Sequence, residues 1–179
     1  MPTNLHKTGS SFLSKNRKGP TSIMNLFSHP TLFRYVMNFW PPFLGAGIHV
    51  SRISRDWRMI TTELRHYGLN RNYMGTHFGG SLFAMTDPFY MLMLIKNLGK
   101  RYHVWDKAGA IEFMKPVKNR VAANFLLSSD RLEHIRKATA DGEKHFETFT
   151  VEVKDRTGEM VAKVQKTIYI RVTDHPQSG

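Results

Sequence analysis

Cysteine is absent from the 179 residues, so disulfides, thiol nucleophiles and thiolate metal sites are excluded and the fold must rest on packing alone. A cysteine-free chain fits a reducing cytosol, and a cytoplasmic location is expected, with mitochondrial import a minor alternative. No stretch approaches the ~18 uninterrupted apolar residues of a spanning helix, so stable membrane insertion is not expected. Acidic side chains are missing from the whole first part of the chain, and the first of them is Asp56. Internal repeats and low-complexity arrays are absent too, as are a helix-turn-helix, a zinc module and a basic-aromatic stripe.

What the chain does have is positive charge. The net +12 favours an anionic partner, whether nucleic acid, acidic membrane or a phosphorylated cofactor such as coenzyme A, and charge alone does not choose among them. With 41% hydrophobic residues the length fits one domain with a substantial core. Residues 1–28 read as a basic flexible tail; their composition is similar to a mitochondrial presequence but lacks its Arg-rich amphipathic helix. Residues 29–173 read as the domain, and 174–179 as a short C-terminal tail.

Within the domain, Leu32, Phe33, Val36, Met37 and Trp40 recur at helical spacing between Pro30 and Pro41, predicting an amphipathic helix over Thr31–Trp40. Its one charged residue, Arg34, favours packing on the domain or a partner over lying on a membrane surface. Short β-branched and aromatic runs predict strands over Gly47–Ile53, Trp57–Tyr67, His103–Met114 and Val121–Leu127. A helix is expected over Asp130–Ala140, capped by Ser129 or Asp130 and ended at Gly142. Phe149, Val151 and Val153 alternate toward the turn Asp155–Gly158, and Met160, Ala162, Val164, Ile168 and Ile170 return from it, which is a hairpin. Between the second and third strands, a glycine-rich turn leads into an apolar stretch, Gly79 to Leu98, predicting a buried central helix of roughly 18 residues. The plan is α+β, an antiparallel sheet of about six strands wrapped around a long central helix.

Asn72, Gly79, Gly80, Leu82, Phe83 and Asp87, followed by Glu112-Phe113-Met114-Lys115-Pro116, resemble the hotdog fold of the acyl-CoA thioesterase superfamily. In its phenylacetyl-CoA thioesterase branch an Asn precedes His-Gly-Gly, and an Asp lies eight residues after the first Gly. Gly79 to Asp87 keeps that interval, and Phe78 stands where that branch has its histidine. The likeness spans roughly residues 43–172 and is closest to a branch carrying Thr-His-Phe-Gly-Gly followed by Asp-Pro. It implies hydrolysis of an acyl-CoA or acyl-carrier thioester by a homodimer, or a larger tetramer. Coenzyme A would be part of the substrate, with neither a separate cofactor nor a metal.

Read for chemistry, the backbone amides of Gly79 and Gly80 can donate to a carbonyl oxygen gaining charge, while Asp87 can serve as base or nucleophile. Eight residues of helix put about 12 Å between them, too far to share one carbonyl, so two antiparallel helices from two chains are needed. Asp87 before Pro88 can equally be a helix cap, with the long helix breaking or bending there because proline removes a donor and clashes with the Ala84 carbonyl. Asn72 can orient the loop or the attacking water, or be a plain turn residue. His77 is a further candidate, although it points away from the position of Phe78. Glu112 can orient or simply face solvent. Lys115, Lys118 and Arg120 can meet the phosphates of coenzyme A. Alternatives are a noncatalytic acyl-thioester binder or sensor, a dehydratase relative for which the spacing to a later carboxylate fits poorly, and a nucleic-acid-binding protein.

Overall fold

Pro30 sits in the first turn of α1 (Pro30–Phe39), where its missing N–H costs nothing, and Trp40-Pro41-Pro42 stops that helix and opens a second, α2 (Pro41–Ala46). The computed structural model describes residues 29–68 and 70–173; the two expected tails lie outside the described residues. Strands β1 (Ile48–Ile53) and β2 (Met59–Leu64) follow. Next come α3 (Gly79–Ala84), α4 (Phe89–Leu98), the long strand β3 (Tyr102–Phe113) and β4 (Val121–Leu126). Helix α5 (Ser129–Ala138) and the hairpin β5 (His145–Asp155) and β6 (Met160–Val172) complete the chain.

The six strands form one antiparallel sheet in the order β1-β2-β4-β5-β6-β3. Its inner face follows the two-residue period: on β5, Phe149, Val151 and Val153 are buried, while Thr150, Glu152 and Lys154 face water. Phe89 and Tyr90 of α4 seat the helix on that face. Phe89 lies 5.1 Å from the Phe125 ring, and Tyr90 stacks on Phe149 at 4.2 Å. The expected α+β hotdog plan and its hairpin are therefore present.

The structure decides one local alternative, at Pro88, and shifts the bounds of one helix. The central helical segment from Gly79 to Leu98 is not continuous. It is interrupted between Ala84 and Phe89, where the Asp87–Pro88 peptide is cis, because proline offers no N–H to carry the ladder forward. Helix α5 starts one residue earlier than expected, with Ser128 Oγ accepting the Arg131 N–H at 3.2 Å, and ends at Ala138 rather than Ala140.

Candidate active site

The loop before α3 is organised by Asn72. Its Oδ1 accepts the N–H groups of Met74 and Thr76, each at 3.0 Å, and its Nδ2 donates to Thr76 Oγ1 at 2.8 Å and to the His77 carbonyl at 3.2 Å. With every hydrogen-bonding site committed inside the loop, Asn72 shapes the turn and has none left over to orient a water. Gly75, with φ 73°, supplies the left-handed residue that this turn requires.

His77 then ties the loop to the β3–β4 connection. Its N–H donates to the Val117 carbonyl at 3.0 Å, and Nε2 lies 2.9 Å from the Asn119 carbonyl. Because a carbonyl only accepts, Nε2 carries the proton; Nδ1 is left buried without a partner, beside the edge-on ring of His66 at 5.0 Å. Burial lowers the His77 pKa below its usual range, the Asn119 carbonyl opposes that shift, and the charge of His66 adds to it. The unfolded chain takes up a proton that the folded imidazole refuses, so stability is expected to fall as pH drops below the ordinary histidine value. Thermal melts between about pH 7 and 5 check this, and His77→Gln should make the slope shallower.

Phe78 precedes the first turn of α3, and its carbonyl accepts from Ser81 N at 2.9 Å and Leu82 N at 3.2 Å. The amides of Gly79 and Gly80 therefore have no acceptor among the described residues. Both glycines lie beneath aromatic rings. A Cβ on Gly79 would come within 2.9 Å of Phe113 Cζ, and one on Gly80 would collide with the Phe78 ring. Gly79 opens onto a cleft of about 370 Å³ shared with Thr76, His77, Leu82, Phe113 and Lys115.

Asp87 lies past the other end of α3, away from the residues of this cleft. At 1.5 Å per residue the six-residue helix alone spans about 9 Å. Asp87 does not cap α4, whose start carries no side-chain cap bond. Instead its Oδ1 accepts from Lys166 Nζ at 2.5 Å, with Asp106 Oδ1 3.0 Å from the same ammonium and the Phe83 ring centroid 5.6 Å away. Lys166 is only 4% exposed, whereas the Asp87 side chain is half-exposed. Burial works against the Lys166 charge, but its contacts with Asp87 and Asp106 outweigh burial and raise its pKa. Burial raises the pKa of Asp106, and Lys166 opposes that shift. Two carboxyl groups thus share one ammonium.

Lys166 and Asp106 were not among the residues expected from the sequence. The available signal was phase, since Lys166 occupies the inward position between Val164 and Ile168 on β6. Glu112 is exposed on β3 and touches neither the cleft nor the trio.

The three basic residues proposed for phosphates separate. Lys115 Nζ is held by Asp155 Oδ2 at 2.9 Å and by Glu159, both at the β5–β6 turn, so it is already neutralised. Lys118 and Arg120 line a second pocket of about 360 Å³ with Arg65, His66, Asn119 and Arg156. The acid paired there is Glu63, 3.2 Å from Arg120 and 3.7 Å from Arg65. Cleft and basic pocket meet along one connection, with Lys115, Pro116 and Val117 on the cleft and Lys118, Asn119 and Arg120 on the pocket. Elsewhere, His134, His145 and Glu147 place ligand atoms within 4.8 Å of one another. Both oxygens of Glu147 are engaged there, one by Arg131 and one by His145 Nε2 at 2.6 Å.

An antiparallel sheet wrapped on a central helix is the hotdog fold, and solved structures of thioesterase-superfamily proteins share it. A Pseudomonas aeruginosa protein of unknown function, described with thioesterase as its expected activity, superposes with a TM-score of 0.69 at 18% identity, over 82% of this chain and 99% of that one. Mouse thioesterase superfamily member 2 gives 0.55 at 16% identity, over 78% and 96%. The phenylacetic acid degradation protein of Thermus thermophilus gives 0.51 at 18% identity, over 73% and 98%. Within that fold the chain belongs to the family described as a domain of unknown function (DUF4442), whose model matches residues 29–170. Among curated proteins none matches the sequence.

Proposed function

We propose that this protein hydrolyses acyl-CoA thioesters at a site shared by two copies of the chain. The observation that carries the reading is the single connection Lys115–Arg120, which borders a largely apolar cleft at one end and a cationic pocket at the other. An acyl thioester joined to a phosphorylated carrier is a ligand with that same division.

In this reading the thioester carbonyl accepts from the Gly79 and Gly80 amides, which are preorganised donors for the oxyanion. Asp87 of a second copy takes a proton from water as the new C–O bond forms; the C–S bond then breaks, and the thiol leaves with a proton. The second copy is required because α3 holds Gly79 and Asp87 apart within one chain. Among the described residues strand β3 has no neighbour on its outer side, and Ala108, Gly109 and Ala110 keep that edge free of bulk beside Lys166, which pairs with Gly109. A noncatalytic acyl-thioester binder is the second reading, favoured by the grip of Lys166 on Asp87.

The test is steady-state hydrolysis of a panel of acyl-CoA chain lengths by the purified dimer, repeated with the corresponding acyl-pantetheines. Lys118→Ala combined with Arg156→Ala should raise KM for acyl-CoA about ten-fold and leave acyl-pantetheine unchanged. Lys115→Ala should leave both within about two-fold, because Lys115 already serves Asp155 and Glu159. Saturable binding without turnover establishes the binder instead, and a monomer that hydrolyses acyl-CoA removes the shared site.

A further inference from the structure

Helix α1 has two apolar faces where one would suffice to dock it. Phe33 and Met37 are buried against the domain, and Asn38 fixes the helix to β1, donating to the Val50 carbonyl at 3.1 Å and accepting the Val50 N–H at 2.6 Å. Leu32, Tyr35 and Phe39, at spacings of three and four residues, form a second stripe that points outward. Trp40 and Leu44 continue it across the junction into α2, with Phe39 74% and Leu44 58% exposed. Arg34, the charged residue of α1, donates from its guanidinium to the Ser51 carbonyl at 2.9 Å and lies over the Tyr35 ring, so the charge that meets the outward stripe there is a cation.

A second copy joining at β3 leaves this stripe open, because β1, on which α1 packs, and β3 are opposite edges of the sheet. The flanking charge identifies what would cover it. Lys7, Lys15, Arg17 and Lys18 precede α1, exposed Arg52 and Arg55 follow it, and no acid occurs before Asp56. A free interfacial helix needs a basic polar face toward water. In α1 that side is occupied by the domain, and the cations are supplied from either side in sequence.

We propose that the outward face of α1 and α2 is a docking surface for an anionic lipid bilayer. Phe39, Trp40 and Leu44 enter the headgroup–acyl boundary, where aromatic side chains concentrate, while exposed Arg52 and Arg55 meet lipid phosphates. Each Lys or Arg near such a surface strengthens attachment about five-fold, and salt screens this contribution. The attachment is peripheral, since no described helix is long and apolar enough to cross a membrane.

Co-sedimentation of the full-length protein with vesicles tests this. Pelleting is expected with phosphatidylcholine vesicles containing phosphatidylglycerol, weakly or not at all with phosphatidylcholine alone, and with a decline as salt rises. Phe39→Ser combined with Leu44→Ser, both at exposed positions, should keep the thermal melt and lower partitioning roughly ten-fold or more. The proposal is overturned if the protein stays in the supernatant with anionic vesicles, or if the double variant pellets as the parent does. It is also overturned if the substitutions halve the molar mass in solution, which assigns the face to a second copy.

Discussion

Asp87→Asn is expected to lower acyl-CoA turnover by about 10²- to 10⁴-fold, the usual worth of a positioned proton acceptor, while KM changes little. Asparagine is nearly the same shape, and its carbonyl oxygen can still accept from Lys166 Nζ, so the fold and the thermal melt should survive. What the substitution removes is the capacity to take a proton from water. Asp87→Ala should be equally inactive and less stable, because it also leaves Lys166 with Asp106 as its remaining anion. Single-turnover measurements on both variants, beside a binding isotherm, separate the cases. Turnover that persists in both takes Asp87 out of the chemistry.

The second large effect is on stability. Lys166→Met fills the same volume with an apolar chain but strands Asp106, whose pKa is already raised by burial, and it deprives Asp87 of its hydrogen bond. Removing one partner of a buried ion pair costs about 3–5 kcal/mol; because Asp87 is half-exposed, the lower end of that range, about 3 kcal/mol, is expected at neutral pH. The sign with pH is definite. A carboxyl whose folded pKa is raised binds a proton before the unfolded chain does, so the variant should regain stability as pH falls through that folded value toward the ordinary carboxylate range. In the parent protein the raised pKa of Lys166 keeps its contribution in full below the ordinary lysine value, and that contribution fades only as pH rises through the folded one. Urea denaturation of parent and variant across acid and neutral pH checks both statements.

Much of the fold was legible because period and punctuation agree along the chain. The β5–β6 hairpin announces itself by alternation around Asp155–Gly158, and α4 ends at Leu98, the expected limit of the apolar stretch, with Gly99 at φ 88° just beyond it. The break at Pro88 was legible as proline chemistry, but its consequence for Asp87 was not. A local reading makes Asp-Pro a helix cap, whereas Lys166, 79 residues away, takes the carboxylate instead. The basic pocket hid for the same reason, as Arg65 follows β2 and Arg156 sits in the hairpin turn, with no shared motif to join them to Lys118 and Arg120. Asn72 and Lys115 were chemically reasonable candidates whose valences are taken by neighbours, which composition and spacing do not reveal.

Strand order also sets when the site can exist. Within the sheet β3 pairs with β6 alone, so Trp105 waits for Tyr169, and Gly109 waits for Lys166. Such long-range pairing is slow to close and leaves an open strand edge meanwhile. A growing chain thus carries its glycine turn, α3 and Asp87 well before the lysine that holds Asp87 in place. On the proposed reading, the glycine donors and Asp87 take their final places only with the last strand of the domain, and any pairing of two copies across β3 would follow it.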